Sequence, residues 1–213
     1  MPDHRVESTS IFSAAGVPAS MGPFDALVIG ASFGGPPAIE EILGGLPRRF
    51  ALPVAICQHI TPGMTRPWAD ALTSKCRVRV VEAQPRSRFE AGTVYLAPAG
   101  MQMRLTSTSL GPMVRLEPDF ADSLHVPSID VLFSSAAKTF GSRTLAVVLT
   151  GLGTDGTIGM LQIRQAGGYT IGESSQTAAS YSMPGSAHDA GAVVQQLPLH
   201  RITERLVELA SVT

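Results

Sequence analysis

The apolar run Ala26-Leu27-Val28-Ile29 passes directly into Gly30-Ala31-Ser32-Phe33-Gly34-Gly35 and then Pro36. That order predicts a short buried strand, a tight turn and a helix. Glycine permits the sharp bend, and proline suits the first helical turn, where its missing N–H costs nothing. Ser32 stands at the bend. A serine there directs its hydroxyl beyond the strand end, where N–H groups at the helix start can steady a developing negative charge.

The same punctuation recurs along the chain. Strand-like residues 26–29 precede a helical segment at 38–43, residues 53–57 precede one at 66–72, and a further strand falls at 77–82. A hairpin-like region is expected over 93–97, 101–106 and 113–117, where glycine, threonine and serine separate alternating apolar positions. A helix at 129–140, a strand at 144–149, a helix at 156–165 and a strand at 169–172 resume the alternation, with helical character again at 186–191 and 202–209. This rhythm predicts a doubly wound, mainly parallel α/β sheet with flanking helices and a β-hairpin insertion, in a single domain.

Composition fits that architecture. A chain of 213 residues with 44% hydrophobic and 15% charged residues can bury roughly 70% of its unfolded surface, so its core needs no metal or disulfide staple. Residues 1–23 mix Asp3, His4, Arg5, Glu7, serines and Pro18; they read as a flexible tail ahead of a folded domain at 24–213. A net charge of −1 argues against general nucleic-acid binding, which needs a strongly basic face. The apolar stretches are far shorter than the roughly 20 residues that cross a bilayer, so no membrane insertion is expected, and the first residues lack the apolar core of a signal peptide. Cys57 and Cys76 have neither metal-ligand nor disulfide spacing and read as reduced thiols of a cytoplasmic protein. No metal or cofactor is expected.

In open parallel sheets, ligands collect beyond the carboxyl ends of the strands. Three polar residues stand just past such ends: Ser32, His59 after 53–57, and Asp155 in Thr150-Gly151-Leu152-Gly153-Thr154-Asp155-Gly156. A serine hydroxyl is a poor nucleophile at neutral pH. His59 would take its proton during attack and return it to the leaving alcohol, while Asp155 would orient the imidazole. Each residue also has a plainer structural role open to it. His59 can satisfy a backbone carbonyl, Asp155 can cap the helix beginning at Gly156, and Asp130 can cap or buttress the helix it begins. His125, His188 and His200 read as surface residues or local hydrogen-bond partners. A nucleotide-binding turn is disfavoured, because Gly30, Ser32, Gly34 and Gly35 do not make Gly-x-Gly-x-x-Gly.

Taken together, Ile29-Gly30-Ala31-Ser32 with Gly34-Gly35-Pro36, Gln58-His59, Gly92 with Val94-Tyr95-Leu96-Ala97-Pro98, Pro127-Ser128-Ile129-Asp130-Val131-Leu132-Phe133, Leu149-Thr150-Gly151, Gly153, Asp155-Gly156 and Met183-Pro184 resemble the catalytic domain of chemotaxis-type protein-glutamate methylesterases. The resemblance runs from about residue 25 to 199. It implies hydrolysis of γ-glutamyl methyl esters on chemoreceptors, releasing methanol, and deamidation of receptor glutamines. Ser32, His59 and Asp155 match that family's triad, and the backbone N–H groups of Phe33 and Leu152 fall where oxyanion donors are expected. Met64, Gln102 and Met183 are candidates for a substrate groove, with core packing the alternative for Met64, Met183 and Trp68.

Departures from the family pattern also appear. Phe33 stands where threonine is usual, Leu152 where methionine is, Gln102 where histidine is, and Val126 and Gly185 where arginines are. Ser182 replaces a usual glycine. Loss of the arginines weakens pairing with acidic receptor helices. The resemblance implies the cytoplasmic domains of methyl-accepting chemoreceptors as partners. The short segment before the first strand leaves no room for a phosphoacceptor receiver domain in this sequence, so a separate regulatory partner, or excision from a longer chain, is expected. A catalytically weak interaction module in a chemosensory array is the alternative that these departures motivate.

Overall fold

The computed structural model describes residues 23–119 and 123–211. The expected tail, apart from Pro23, lies outside them. The chain opens with β1 (Ala26–Ala31), α1 (Gly35–Gly45), β2 (Val54–Gln58), α2 (Thr65–Lys75), β3 (Arg79–Glu82) and β4 (Thr93–Leu96). An antiparallel hairpin, β5 (Gln102–Thr108) and β6 (Gly111–Glu117), follows. Then come α3 (Ile129–Phe140), β7 (Thr144–Val148), α4 (Thr157–Gln165), β8 (Tyr169–Glu173), α5 (Ser182–Asp189), β9 (Gln195–Leu197) and α6 (Leu199–Ala210).

Seven strands form one parallel sheet in the order β3-β4-β2-β1-β7-β8-β9. From β1 the chain builds outward to one side as far as β3 and β4, then returns to β7 on the other side of β1. The strand order therefore reverses beside β1, and the turn after β1 opens at the crevice where such sheets bind ligands.

Alternate residues of β1 serve two cores. Leu27, Ile29 and Ala31 pack with Ile39, Ile42 and Leu43 of α1, Ala69 and Leu72 of α2, and Ile202, Leu206 and Leu209 of α6. Ala26 and Val28 face Ile129, Leu132 and Phe133 of α3, Met160 and Ile163 of α4, and Met103 and Leu105 of the hairpin. Every residue of β1, β2, β7 and β8 is buried, as a sheet covered by helices on both faces requires.

The structure corrects two expectations and adds one strand. Residues 93–97 do not belong to the hairpin: β4 lies parallel between β2 and β3, with Val94 opposite Val54 and Val80. Val94, Tyr95 and Leu96 are buried in succession, which suits a strand covered on both faces and not a half-exposed hairpin. The helix expected at 186–191 begins at Ser182, because Pro184 sits in the first turn, where no N–H is lost, and Gly191 at φ 70 follows the helix end. The polar Gln195–Leu197 strand at the sheet edge lacks the apolar pattern that signals a strand in sequence.

Candidate active site

Ser32 begins the turn after β1. Its N–H donates to Thr150 O at 3.0 Å, and its carbonyl accepts from Gly35 N at 2.9 Å and from Gln58 Nε2 at 2.9 Å. Gly34 completes the bend in the left-handed region at φ 78, and a Cβ there would lie 2.6 Å from Ala179 Cβ. Both constraints exclude larger residues. Gln58 is buried at the end of β2, and its amide also donates to His59 O at 2.9 Å. One side chain thus pins the Ser32 turn to the loop that carries His59.

The His59 backbone N–H donates to Ala31 O at 3.1 Å. Its ring bridges the other two candidates: Nδ1 lies 3.1 Å from Ser32 Oγ and Nε2 lies 2.9 Å from Asp155 Oδ2. An ionised carboxylate can only accept, so Nε2 carries the ring proton and Nδ1 is left to accept from the Ser32 hydroxyl. The order of ring nitrogens is reversed relative to the serine-protease triad, in which Nε2 faces the serine.

Asp155 caps a helix, but not the one expected. Its carboxylate sits at the N-terminus of α3, accepting from Ile129 N at 2.8 Å, Asp130 N at 2.9 Å and Ser128 Oγ at 3.0 Å. Asp130 answers from the first turn of α3 by accepting from Gly159 N of α4 at 2.7 Å. The two aspartates therefore cap each other's helices, as the close approach of the α3 start to β1 and α4 allows. A Cβ on Gly30 would meet Ile129 Cγ2 at 2.3 Å and one on Gly159 would meet Phe133 Cβ at 2.4 Å. Burial alone would raise the Asp155 pKa, but the His59 hydrogen bond and the Asp130 and Ile129 amides outweigh it and hold the carboxyl at about 2. Burial pushes Asp130 upward despite its amide partners.

The loop after β7 closes the other side of Ser32. Glu173 is fully buried and accepts from Thr150 N at 2.8 Å, and the Thr150 hydroxyl donates to Phe33 O at 2.9 Å. Burial raises the Glu173 pKa. Among the described residues, the N–H groups of Phe33 and Leu152 donate to no partner, which leaves both available to an oxyanion. Both side chains are 60% exposed.

The groove candidates divide. Met64 is exposed at the N-cap of α2. Met183 is fully buried under Gly151, so it is part of the floor and not of the groove. Gln102 is 3% exposed and turned away from any groove: its amide donates to His125 O at 3.0 Å while its Oε1 accepts from Ser128 N at 2.8 Å. It secures the 125–128 segment that supports Asp155. Trp68 is partly buried against the core. His125, expected at the surface or in local bonding, stacks on His59 with ring centroids 4.1 Å apart. Among the described residues no group of three or more His, Cys, Asp or Glu is placed to hold a metal ion, and no helix is long and apolar enough to cross a membrane.

Between Ser32 and the loop after β7 there is no spare room. A methyl group added at Gly151 would lie 2.8 Å from Ser32 Cβ and 2.2 Å from Met183 Sδ. Gly151→Ala is therefore expected to cost about 1–3 kcal/mol of stability through overpacking, measurable by urea denaturation, and to lower kcat by displacing the serine.

A Ser–His–Asp hydrogen-bond chain at the switch point of a doubly wound parallel sheet defines a site of the serine-hydrolase class. Residues 27–206 match the CheB methylesterase family model, and the chain belongs to that family. It is 42% identical over 182 residues to the protein-glutamate methylesterase/protein-glutamine glutaminase 1 of Carboxydothermus hydrogenoformans, covering 84% of this chain and 54% of that protein. It is 38% identical over 192 residues to the protein-glutamate methylesterase FrzG of Myxococcus xanthus, covering 89% of this chain and 56% of that protein. The chain thus spans about half the length of these relatives. The crystal structure of the Thermotoga maritima CheB methylesterase catalytic domain superposes with a TM-score of 0.85 at 33% identity, over 88% of this chain and all of that one.

Proposed function

We propose that residues 24–213 form a catalytic domain that hydrolyses γ-glutamyl methyl esters on the cytoplasmic domains of chemoreceptors, and by the same route deamidates glutamines there. The observation that carries this reading is the continuous Ser32–His59–Asp155 chain, at 3.1 and 2.9 Å. Ser32 Oγ attacks the ester carbonyl carbon while His59 Nδ1 takes the hydroxyl proton. The Phe33 and Leu152 N–H groups hold the oxyanion. Collapse of the tetrahedral intermediate expels methanol, which takes the proton from Nδ1. Water, deprotonated by the same nitrogen, then cleaves the acyl-serine and leaves a glutamate carboxylate. Asp155 stays ionised and balances the transient imidazolium. The protein acts in the cytoplasm, with no cofactor.

Two relatives named as methylesterases support the reaction class. The test is methanol release from a methylated receptor cytoplasmic fragment: turnover by the wild type supports an esterase, and binding without turnover points to an interaction module. The exposed Phe33, Met64 and Leu152 offer the substrate an apolar rim in place of the missing arginines. Phe33→Ser is accordingly expected to raise KM several-fold with kcat little changed, the signature of lost uniform binding.

A further inference from the structure

His125 is the residue near the triad to which the reaction above gives no task. Its ring lies over the His59 imidazole at a centroid separation of 4.1 Å and an interplanar angle of 18°. It is also well anchored. Its carbonyl accepts from the buried Gln102 amide, Gln102 Oε1 accepts from Ser128 N, and Ser128 Oγ donates to Asp155 Oδ1. The backbone beside it is held too, through Gly100 N donating to Val126 O at 3.0 Å. The segment that carries His125 is thus tied to the same carboxylate that receives His59 Nε2.

Two hydrogen bonds, one at each ring nitrogen, hold the His59 ring at its edge, but the ring can still rock about its Cβ–Cγ bond, a torsion that carries Nδ1 out of the resting plane. Rocking swings the Nδ1 lone pair off the Ser32 hydroxyl, and hydrogen bonds weaken steeply as they bend. A flat neighbour on one face blocks that motion. We propose that His125 is a positioning residue that clamps the His59 ring in the plane that joins Ser32 to Asp155. The proposal rests on His59 acting as the base. Burial, then the His59 charge, lower the His125 pKa, against a smaller opposing pull from Asp155. The neutral ring this favours can stay stacked when His59 takes up the serine proton.

The test compares His125→Ala with His125→Phe in the full chain. The Ser32 phosphonylation rate with a fluorophosphonate is read beside the low-field proton NMR line of the His59 Nε2–H bonded to Asp155. Small displacements of a catalytic group cost up to about 100-fold in rate. Labelling of His125→Ala is expected to be about 10- to 100-fold slower and its low-field line broadened or lost. His125→Phe, which keeps a flat ring, should label within about threefold of wild type and retain the line. A wild-type rate and a sharp line in His125→Ala would overturn the clamp, as would a phenylalanine variant no better than alanine. Failure of the wild-type protein to label would instead count against the nucleophile reading, and the NMR comparison would still decide the clamp.

Discussion

Replacing Ser32 by alanine is expected to abolish ester hydrolysis, with kcat falling on the order of 10⁶-fold, the loss found when a serine is removed from a triad that acts as a unit. Among the described residues the hydroxyl makes one hydrogen bond, to His59. The turn is held instead by backbone bonds and by Gln58, all of which alanine keeps. Thermal stability should therefore stay within about 0.5 kcal/mol of wild type, and receptor binding should survive. Methanol release and a thermal melt on the same preparation separate loss of chemistry from loss of fold.

Asp155→Asn is expected to damage both. An amide in place of the carboxylate cannot accept on both sides. Either its NH2 group replaces Oδ1 and faces the donating Asp130 amide and Ser128 hydroxyl, or it replaces Oδ2, faces the donating Ile129 amide and His59, and forces the other tautomer, which puts a proton on Nδ1 where Ser32 needs an acceptor. The tautomer error in a serine protease costs about 10⁴ in kcat, and a loss of that order is expected here. The stability cost is expected at about 1–3 kcal/mol, for a buried donor left without its acceptor at the start of α3. The pH dependence tests the same carboxylate. Its folded pKa of about 2 lies below the ordinary 3.8, so its stabilisation, about 2 kcal/mol, is fully present above pH ~4 and is lost as pH falls from ~4 through ~2. Acid titration of stability should show that loss in the wild type, and a correspondingly shallower one in Asp155→Asn.

Ser32 and His59 were legible because each directly follows a short apolar strand, and Asp155 because it lies in the glycine-bearing loop 150–156 beyond a third; the parallel sheet brings the carboxyl ends of these neighbouring strands together. Their supports were not. Beside the Ser128 hydroxyl, the partners that hold Asp155 at the start of α3 are main-chain amides at positions 129 and 130, and an amide has no side chain to read. Asp155 precedes α4 in sequence, so capping α4 is the local expectation; capping α3 instead depends on the approach of Ile129 to Gly30, a contact between distant segments. Gln102 opens a hairpin strand, and nothing in its sequence neighbours shows that its side chain turns back to hold residues 125–128. His125 shows no spacing to His59, since stacked rings leave no periodic trace. Thr93-Val94-Tyr95-Leu96 suits a hairpin as well as a buried strand, and only its pairing with β2 and β3 decides. The departures at Phe33 and Leu152 change side chains, whereas the oxyanion donors proposed there are backbone groups.

The most direct test of the account is to map where a fluorophosphonate attaches. The account predicts one adduct, on the peptide carrying Ser32, absent in Ser32→Ala and formed at least about 100-fold more slowly in His59→Ala, given the 10²- to 10⁴-fold contribution of a positioned general base. An adduct at another serine, or labelling of Ser32 at the wild-type rate without His59, would contradict it.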